Sequence, residues 1–132
     1  MTDPIDDIGT WAEQAEAARR RLSPTALKVV LRIGEKWEVT QEGSLALIGL
    51  SKLPSSIGVT LSADQFYRAG IVIEIFKAVN ELFDQPLADR WLSQSNRNPI
   101  FGGATPLEAM WNGGIGVMVD VLQYLRAIQQ GL

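Results

Sequence analysis

LSADQFYRAGIVIEIFKAVNELF, residues 61–83, is the stretch whose reading decides the fold class. Ser62 and Gln65 have the spacing of a capping box, and Asp64 adds a negative charge in the first turn, where the helix dipole favours it. Phe66, Ala69, Gly70, Ile73, Phe76, Val79, Leu82 and Phe83 then recur over one wide helical face. Ile71, Val72 and Ile75 carry the apolar surface further round. A helix this apolar must be covered on most sides, so it is expected to be the central element. Asp84-Gln85-Pro86 ends it.

Upstream, residues 1–9 read as a disordered or loosely held lead. Trp11, Ala15, Ala18 and Leu22 fall at helical spacing, which predicts a helix over 10–22. Arg19, Arg20 and Arg21 suit the carbonyl end of its dipole. Ser23 as cap and Pro24 at the first helical position predict a second helix over 24–37, burying Leu27, Val30, Leu31, Gly34 and Trp37. Lys28, Arg32 and Lys36 recur every four residues on another face, as either a solvated face or a phosphate track. Thr40 opens a short helix, TQEGSLALIGL, which Gly49 ends, and Ser51 then caps a new start in SKLPSSIG. Two short helices around a tight glycine turn outline a helix-turn-helix.

Downstream, Pro86 starts a two-turn helix with Leu87, Trp91 and Leu92 facing inward. NPIFGG is a loop, and Thr105, Pro106 and Glu108 form a second capping-box start. Asn112-Gly113-Gly114 stops that helix after about two turns. A final helix then runs to Gly131, with Ile115, Met118, Val119, Leu122, Leu125 and Ile128 on its inner side. No stretch alternates with period two between hairpin turns. The reading is an all-α, compact helical domain of six to eight helices, divided as 1–9, 10–60 and 61–132.

Composition removes whole classes of chemistry. With 132 residues the chain is sized for one domain. It has no Cys and no His, so a zinc site of the usual ligands, a thiol nucleophile and a Ser-His relay are all out of reach. No apolar run approaches the ~20 residues of a membrane span, and the acidic N-terminus lacks a signal-peptide layout. These features suit a cytoplasmic protein. A net charge of −3 argues against a surface covered in phosphate-binding cations, though a local basic face remains open.

Asn98-Pro99, Phe101-Gly102-Gly103, Thr105-Pro106-Leu107-Glu108, Met110, Asn112-Gly113-Gly114 and Tyr124-Leu125 follow one another in an order that resembles the toxin-binding domain of the Xre/MbcA/ParS antitoxin family. The helix over 61–83 and Ala88-Asp89-Arg90-Trp91-Leu92 resemble the helices that precede it there, so the likeness spans about 61–131. Residues 24–58 occupy the place of that family's helix-turn-helix. The resemblance implies a non-enzymatic type II antitoxin, without cofactor or metal. Its back half binds a toxin, commonly of the RES type that consumes NAD, and its front half represses the operon by binding operator DNA. A homodimer or a higher complex with the toxin is expected.

One departure stands out. The segment 51–57 offers a single cation, Lys52, and Pro54 limits regular helix there. Base reading usually needs Arg, Lys, Asn or Gln. DNA binding is therefore expected to lean on Lys28, Arg32, Lys36 and Lys52 and on dimerisation. The expected toxin-binding set is Phe101, Gly102, Gly103, Thr105, Pro106, Met110, Trp111, Gly113, Gly114 and Arg126. Glycines permit positive φ and close approach of another chain. They are expected to set the angle of a contact helix that exposes parts of Phe101, Met110 and Trp111. Trp11, Trp37 and Trp91 read as packing residues. Arg126, with Asp89, Arg90 and Asp120, reads equally well as surface charge or partner contact. FGGATP also allows a phosphate site at a helix N-terminus, but no Lys follows as in a P-loop. The rival function is a helical scaffold without a toxin partner.

Overall fold

The computed structural model describes residues 4–55 and 58–131, apart from the side chains of residues 5–8. Among them are five α-helices, two single-turn 3-10 helices and no strand. The all-α expectation holds, with fewer α-helices than six to eight. They are α1 (Pro4–Lys36), α2 (Gln41–Leu47), α3 (Ala63–Leu82), α4 (Leu87–Arg90) and α5 (Pro106–Gln129). The 3-10 turns are Trp91–Ser93 and Pro99–Phe101.

The helix over 61–83 is central, as expected. α3 packs chiefly against α5 and α1. Its start is a complete capping box: Ser62 Oγ accepts the Gln65 N–H at 3.1 Å, and Gln65 Oε1 accepts the Ser62 N–H at 2.9 Å. The buried face is rotated from the one the spacing suggested. Ala69, Ile71, Val72, Ile75, Ala78 and Val79 are buried, whereas Phe66, Ile73 and Phe76 are half-buried at its edge. Helical period alone cannot rank positions on a helix that is apolar nearly all round.

The largest correction lies at the N-terminus. The two helices expected over 10–22 and 24–37 are one, and the lead expected to be loose is already helical from Pro4. Pro24 sits inside it. An interior proline removes one helical hydrogen bond and strains the preceding turn. Here its neighbours are pinned from outside. Ser23 Oγ donates to the Arg19 carbonyl at 2.6 Å and accepts the Leu61 N–H at 3.0 Å, and the Arg19 guanidinium donates to the Leu61 carbonyl. That clamp holds α1 continuous where a local reading would break it.

α2 is capped by Thr40 as expected. No second helix follows Gly49 among the described residues: 51–55 are bends and irregular chain, and positions 56 and 57 of the expected element lie outside the description. Leu87, expected inward, is exposed, while Leu92 is buried and Trp91 half-buried. Trp11, expected to pack, is 70% exposed. Trp37, by contrast, is fully buried.

α5 spans both helices expected in the C-terminal third, with a break where the glycine stop was placed. Gly114 has φ 69° and ψ −152°, outside helical geometry, so the two segments meet at a kink. Met118, Val121, Leu122 and Leu125 form the buried side of the second segment.

Candidate functional site

The stretch 98–114 is built around an aromatic anchor. Asn98 Oδ1 caps the turn Pro99–Phe101 by accepting the Ile100 N–H at 3.1 Å. Phe101 then enters a cluster with Phe83, Trp91 and Tyr124. Its ring meets Trp91 and Tyr124 edge-on at centroid separations of 6.0 and 5.9 Å. Trp91 in turn stacks on Phe83 at 6.0 Å and Tyr124 at 6.2 Å. Such edge-on and offset arrangements are the favoured geometries for aromatic pairs. Phe101 is therefore 3% exposed and holds the loop, which corrects the expectation that it lies partly at the surface.

With the loop anchored from below, its tip is bare backbone. Gly102 and Gly103 have φ of 58° and 83°, are exposed, and have nothing within 4 Å of where a Cβ would stand. The glycines are there for conformation and leave an open approach. Ile100 stands exposed beside them.

Thr105 caps α5 by accepting the Glu108 N–H at 3.1 Å, and Glu108 Oε1 accepts its hydroxyl at 3.0 Å. This reciprocal bond runs through the hydroxyl and not the backbone N–H of a capping box. Pro106 and Met110 are buried, with Met110 1% exposed, so its expected surface role is corrected too.

Trp111 is the large apolar residue that this helix exposes, at 40%. Its indole Nε1 donates to the Gly43 carbonyl at 3.0 Å. A Cβ at Gly43 would stand 3.1 Å from the ring and 2.8 Å from Val39 Cγ1. The missing side chain on α2 thus lets one edge of the indole lie flat while the rest faces out. The ring borders a recess of about 300 Å³ lined by Trp37, Glu38, Val39, Thr40, Ser93, Thr105, Leu107 and Glu108. Gly43 and Glu38 were missed in the sequence. An isolated glycine inside a helix was the available signal for Gly43, since such a residue usually has a packing reason.

The remaining expected residues divide. Gly113 is exposed and Gly114 makes the kink. Arg126 lies about four turns further along α5. It pairs with Glu74 of α3 at 3.3 Å and lines a separate recess with Phe66, Tyr67, Gly70, Ile71 and Leu122. The structure does not bring it to the Gly102–Trp111 surface. Lys28, Arg32 and Lys36 do share one groove, between α1 and α3, whereas Lys52 is exposed in the irregular segment after α2. Among the described residues no cluster of Asp and Glu has the makings of a metal site, and no helix is long and apolar enough to cross a membrane.

Residues 78–131 match the family model of the antitoxin Xre/MbcA/ParS C-terminal toxin-binding domain. In that segment the chain is similar to the Xre/MbcA/ParS toxin-binding family. The segment takes in the end of α3, α4, the aromatic cluster, the glycine loop and all of α5. Over 99% of its length the chain is also 28% identical to the whole of the uncharacterized protein y4oB of Sinorhizobium fredii (strain NBRC 101917 / NGR234). No solved structure matches.

Proposed function

We propose that this protein is the antitoxin of a type II toxin-antitoxin system, acting by binding and not by catalysis, and that its partner is a RES-type, NAD-consuming toxin. The observation that carries the reading is the coincidence of the family match over 78–131 with an exposed, side-chain-poor surface in the same segment. On this reading residues 61–132 are the toxin-binding domain and 10–60 an N-terminal region. The protein works in the cytoplasm, self-associates, and forms a higher complex with toxin. Gly102 and Gly103 offer backbone for close approach, and Trp111 supplies the apolar anchor; tryptophan is prominent among residues that dominate binding energy. Phe101, Pro106 and Met110 serve from beneath, Thr105 caps the helix, and the exposed Gly113 and the kink at Gly114 set its direction. Arg126 serves a second contact area with the toxin.

Autorepression by DNA binding is the further part of the proposal, resting on Lys28, Arg32, Lys36 and Lys52. The lack of helix over 51–55 supports a phosphate-directed contact over base reading.

The test is co-expression with the toxin encoded next to it, scoring growth and recovery of the complex. Trp111→Ala is expected to weaken the complex by about 2 kcal/mol, roughly thirtyfold. Gly102→Val and Gly103→Val are expected to impair neutralisation, because a β-branched residue is strongly disfavoured at positive φ. Full-strength binding by a folded Trp111→Ala variant removes Trp111 from the interface. Recovery of several unrelated partners, or none, favours a scaffold.

A further inference from the structure

The N-terminal part of α1 is a helical arm. Every residue from Gly9 to Ala17 is exposed, and buried positions on α1 begin only at Ser23. A helix of 33 residues is about 50 Å long at 1.5 Å per residue, so the arm reaches well past the core it serves. Trp11, the most exposed large apolar residue described, stands on it.

The arm carries a stripe that continues onto the body. At ~100° per residue, positions 11, 15, 18, 22 and 29 fall within about 60° of one another. Trp11, Ala15, Ala18, Leu22 and Val29 therefore form one line along α1. Its C-terminal end opens into two adjoining grooves between α1 and α3. One, of about 390 Å³, is lined by Val29, Ile33 and Phe76 and bordered by Lys28, Arg32 and Lys36. The other, of about 220 Å³, is lined by Leu22, Ala26, Val29, Phe66 and Ile73. Among these, Ala26, Val29, Phe66, Ile73 and Phe76 are half-buried residues left at the edge of the core. The charges are complementary. The first 18 residues hold five acidic side chains and no basic one, whereas the rim of the larger groove is basic.

We propose that the α1 arm of a second copy fills this groove, packed antiparallel across a two-fold axis near Leu22. That axis sets the register without further choice. Leu22 meets its own counterpart, Ala18 faces Ala26, Ala15 faces Val29, and Trp11 arrives opposite Ile33, at the larger groove. The bulky ring lies where space is available, and alanines lie where two helices must approach closely. Glu13 and Glu16 of each arm fall beside Arg32 and Lys28 of the other copy, which favours this orientation over a parallel one. A two-fold exchange fills both grooves at once. The proposal rests on the self-association part of the function proposed above and needs no toxin.

The test is sedimentation of the full-length protein alone, at low to tens of micromolar. A dimer is expected. Because the chain has no cysteine, Leu22→Cys introduces a single thiol, and mild oxidation is expected to convert it to a covalent dimer, whereas Leu53→Cys, exposed outside the stripe, stays uncrosslinked. Trp11→Ala, at an exposed position, should weaken the dimer at least tenfold with helical circular dichroism unchanged. Val29→Glu should do the same from the groove side. A monomer throughout this range, or a dimer that survives Trp11→Ala and resists crosslinking through Leu22→Cys, overturns the arm exchange. Toxin neutralisation is scored separately, so failure of the arm exchange and failure of the antitoxin reading give different results.

Discussion

Glu38 and Gly49 occupy the same position at the ends of two successive helices. After α1 the Val39 N–H reaches back to the Gly34 carbonyl at 2.8 Å, and after α2 the Leu50 N–H reaches the Leu45 carbonyl at 2.9 Å. Both are the wrap-around helix end that needs a left-handed residue just before the returning N–H. Gly49 takes φ 80° without strain, but Glu38 takes φ 58° with a side chain. An L-residue with a Cβ costs about 1–2 kcal/mol in that region. Glu38→Gly is therefore expected to stabilise the protein by about 1 kcal/mol in urea denaturation. An unchanged or lowered midpoint would mean that Glu38, at the edge of the recess beside Trp111, gains something there that offsets the strain. Nothing in the residue type announced this site, because positive φ at Glu is set by where α2 must go. Trp111 was legible as an interface candidate; that its indole is tethered to Gly43 was not, since that partner lies 68 positions away.

At the scale of elements, α5 shows how two glycines are used differently. Gly113 remains helical, and a Cβ there would meet Val117 Cγ2 at 2.1 Å and Val117 Cβ at 2.9 Å, so it leaves room for the next turn. Gly114 has nothing near its would-be Cβ, but its φ of 69° with ψ of −152° lies where side chains are strongly disfavoured. Gly114→Ala is thus expected to cost about 1–3 kcal/mol or to straighten α5. Either result should show as a lower melting temperature or as altered tryptophan fluorescence, because straightening moves Trp111 relative to Gly43. A variant with wild-type stability and an unaltered spectrum would show that the kink is not held in solution. α1 teaches the reverse lesson. Ser23-Pro24 is a sound local signal for a helix start, and it was overruled by hydrogen bonds to Leu61, 38 positions away.

For the molecule as a whole, the balance between DNA and self-association turns on the same three cations. Lys28, Arg32 and Lys36 border one groove, on a protein of net charge −3. Operator binding is expected to be weak and mainly electrostatic. Log affinity should fall against log salt with a slope of about −0.9 for each phosphate neutralised, or roughly −3 for three such contacts. If the acidic arms cover these cations in the dimer, dimerisation competes with DNA binding and does not support it as the sequence suggested, so Trp11→Ala should strengthen binding to DNA while loosening the dimer. Gel shifts across a salt series test both: a tight, base-specific complex that ignores salt would contradict the electrostatic reading, and a Trp11→Ala variant that binds DNA no better than the wild type would contradict the covering by the arms.

The all-helical class, the central place of α3, the caps at Thr40, Ser62 and Thr105 and the glycine break in α5 were legible in the chain alone. Each depends on residues within a turn or two of one another, where period and capping chemistry operate. The order of residues in 98–125 was likewise enough to point to the toxin-binding family. The continuity of α1 through Pro24, the buried face chosen on α3, the burial of Phe101 and Met110, and the exposure of Trp11 were decided by the tertiary structure. The physical reason is shared. Phe101 reads locally as a loop residue, but Trp91 and Tyr124 make a place for it. Trp11 reads locally as a core residue, but its stretch of α1 extends beyond the elements that cover the rest of the helix. Period and capping specify which elements form; burial depends on which elements meet, and those contacts join residues far apart in the chain.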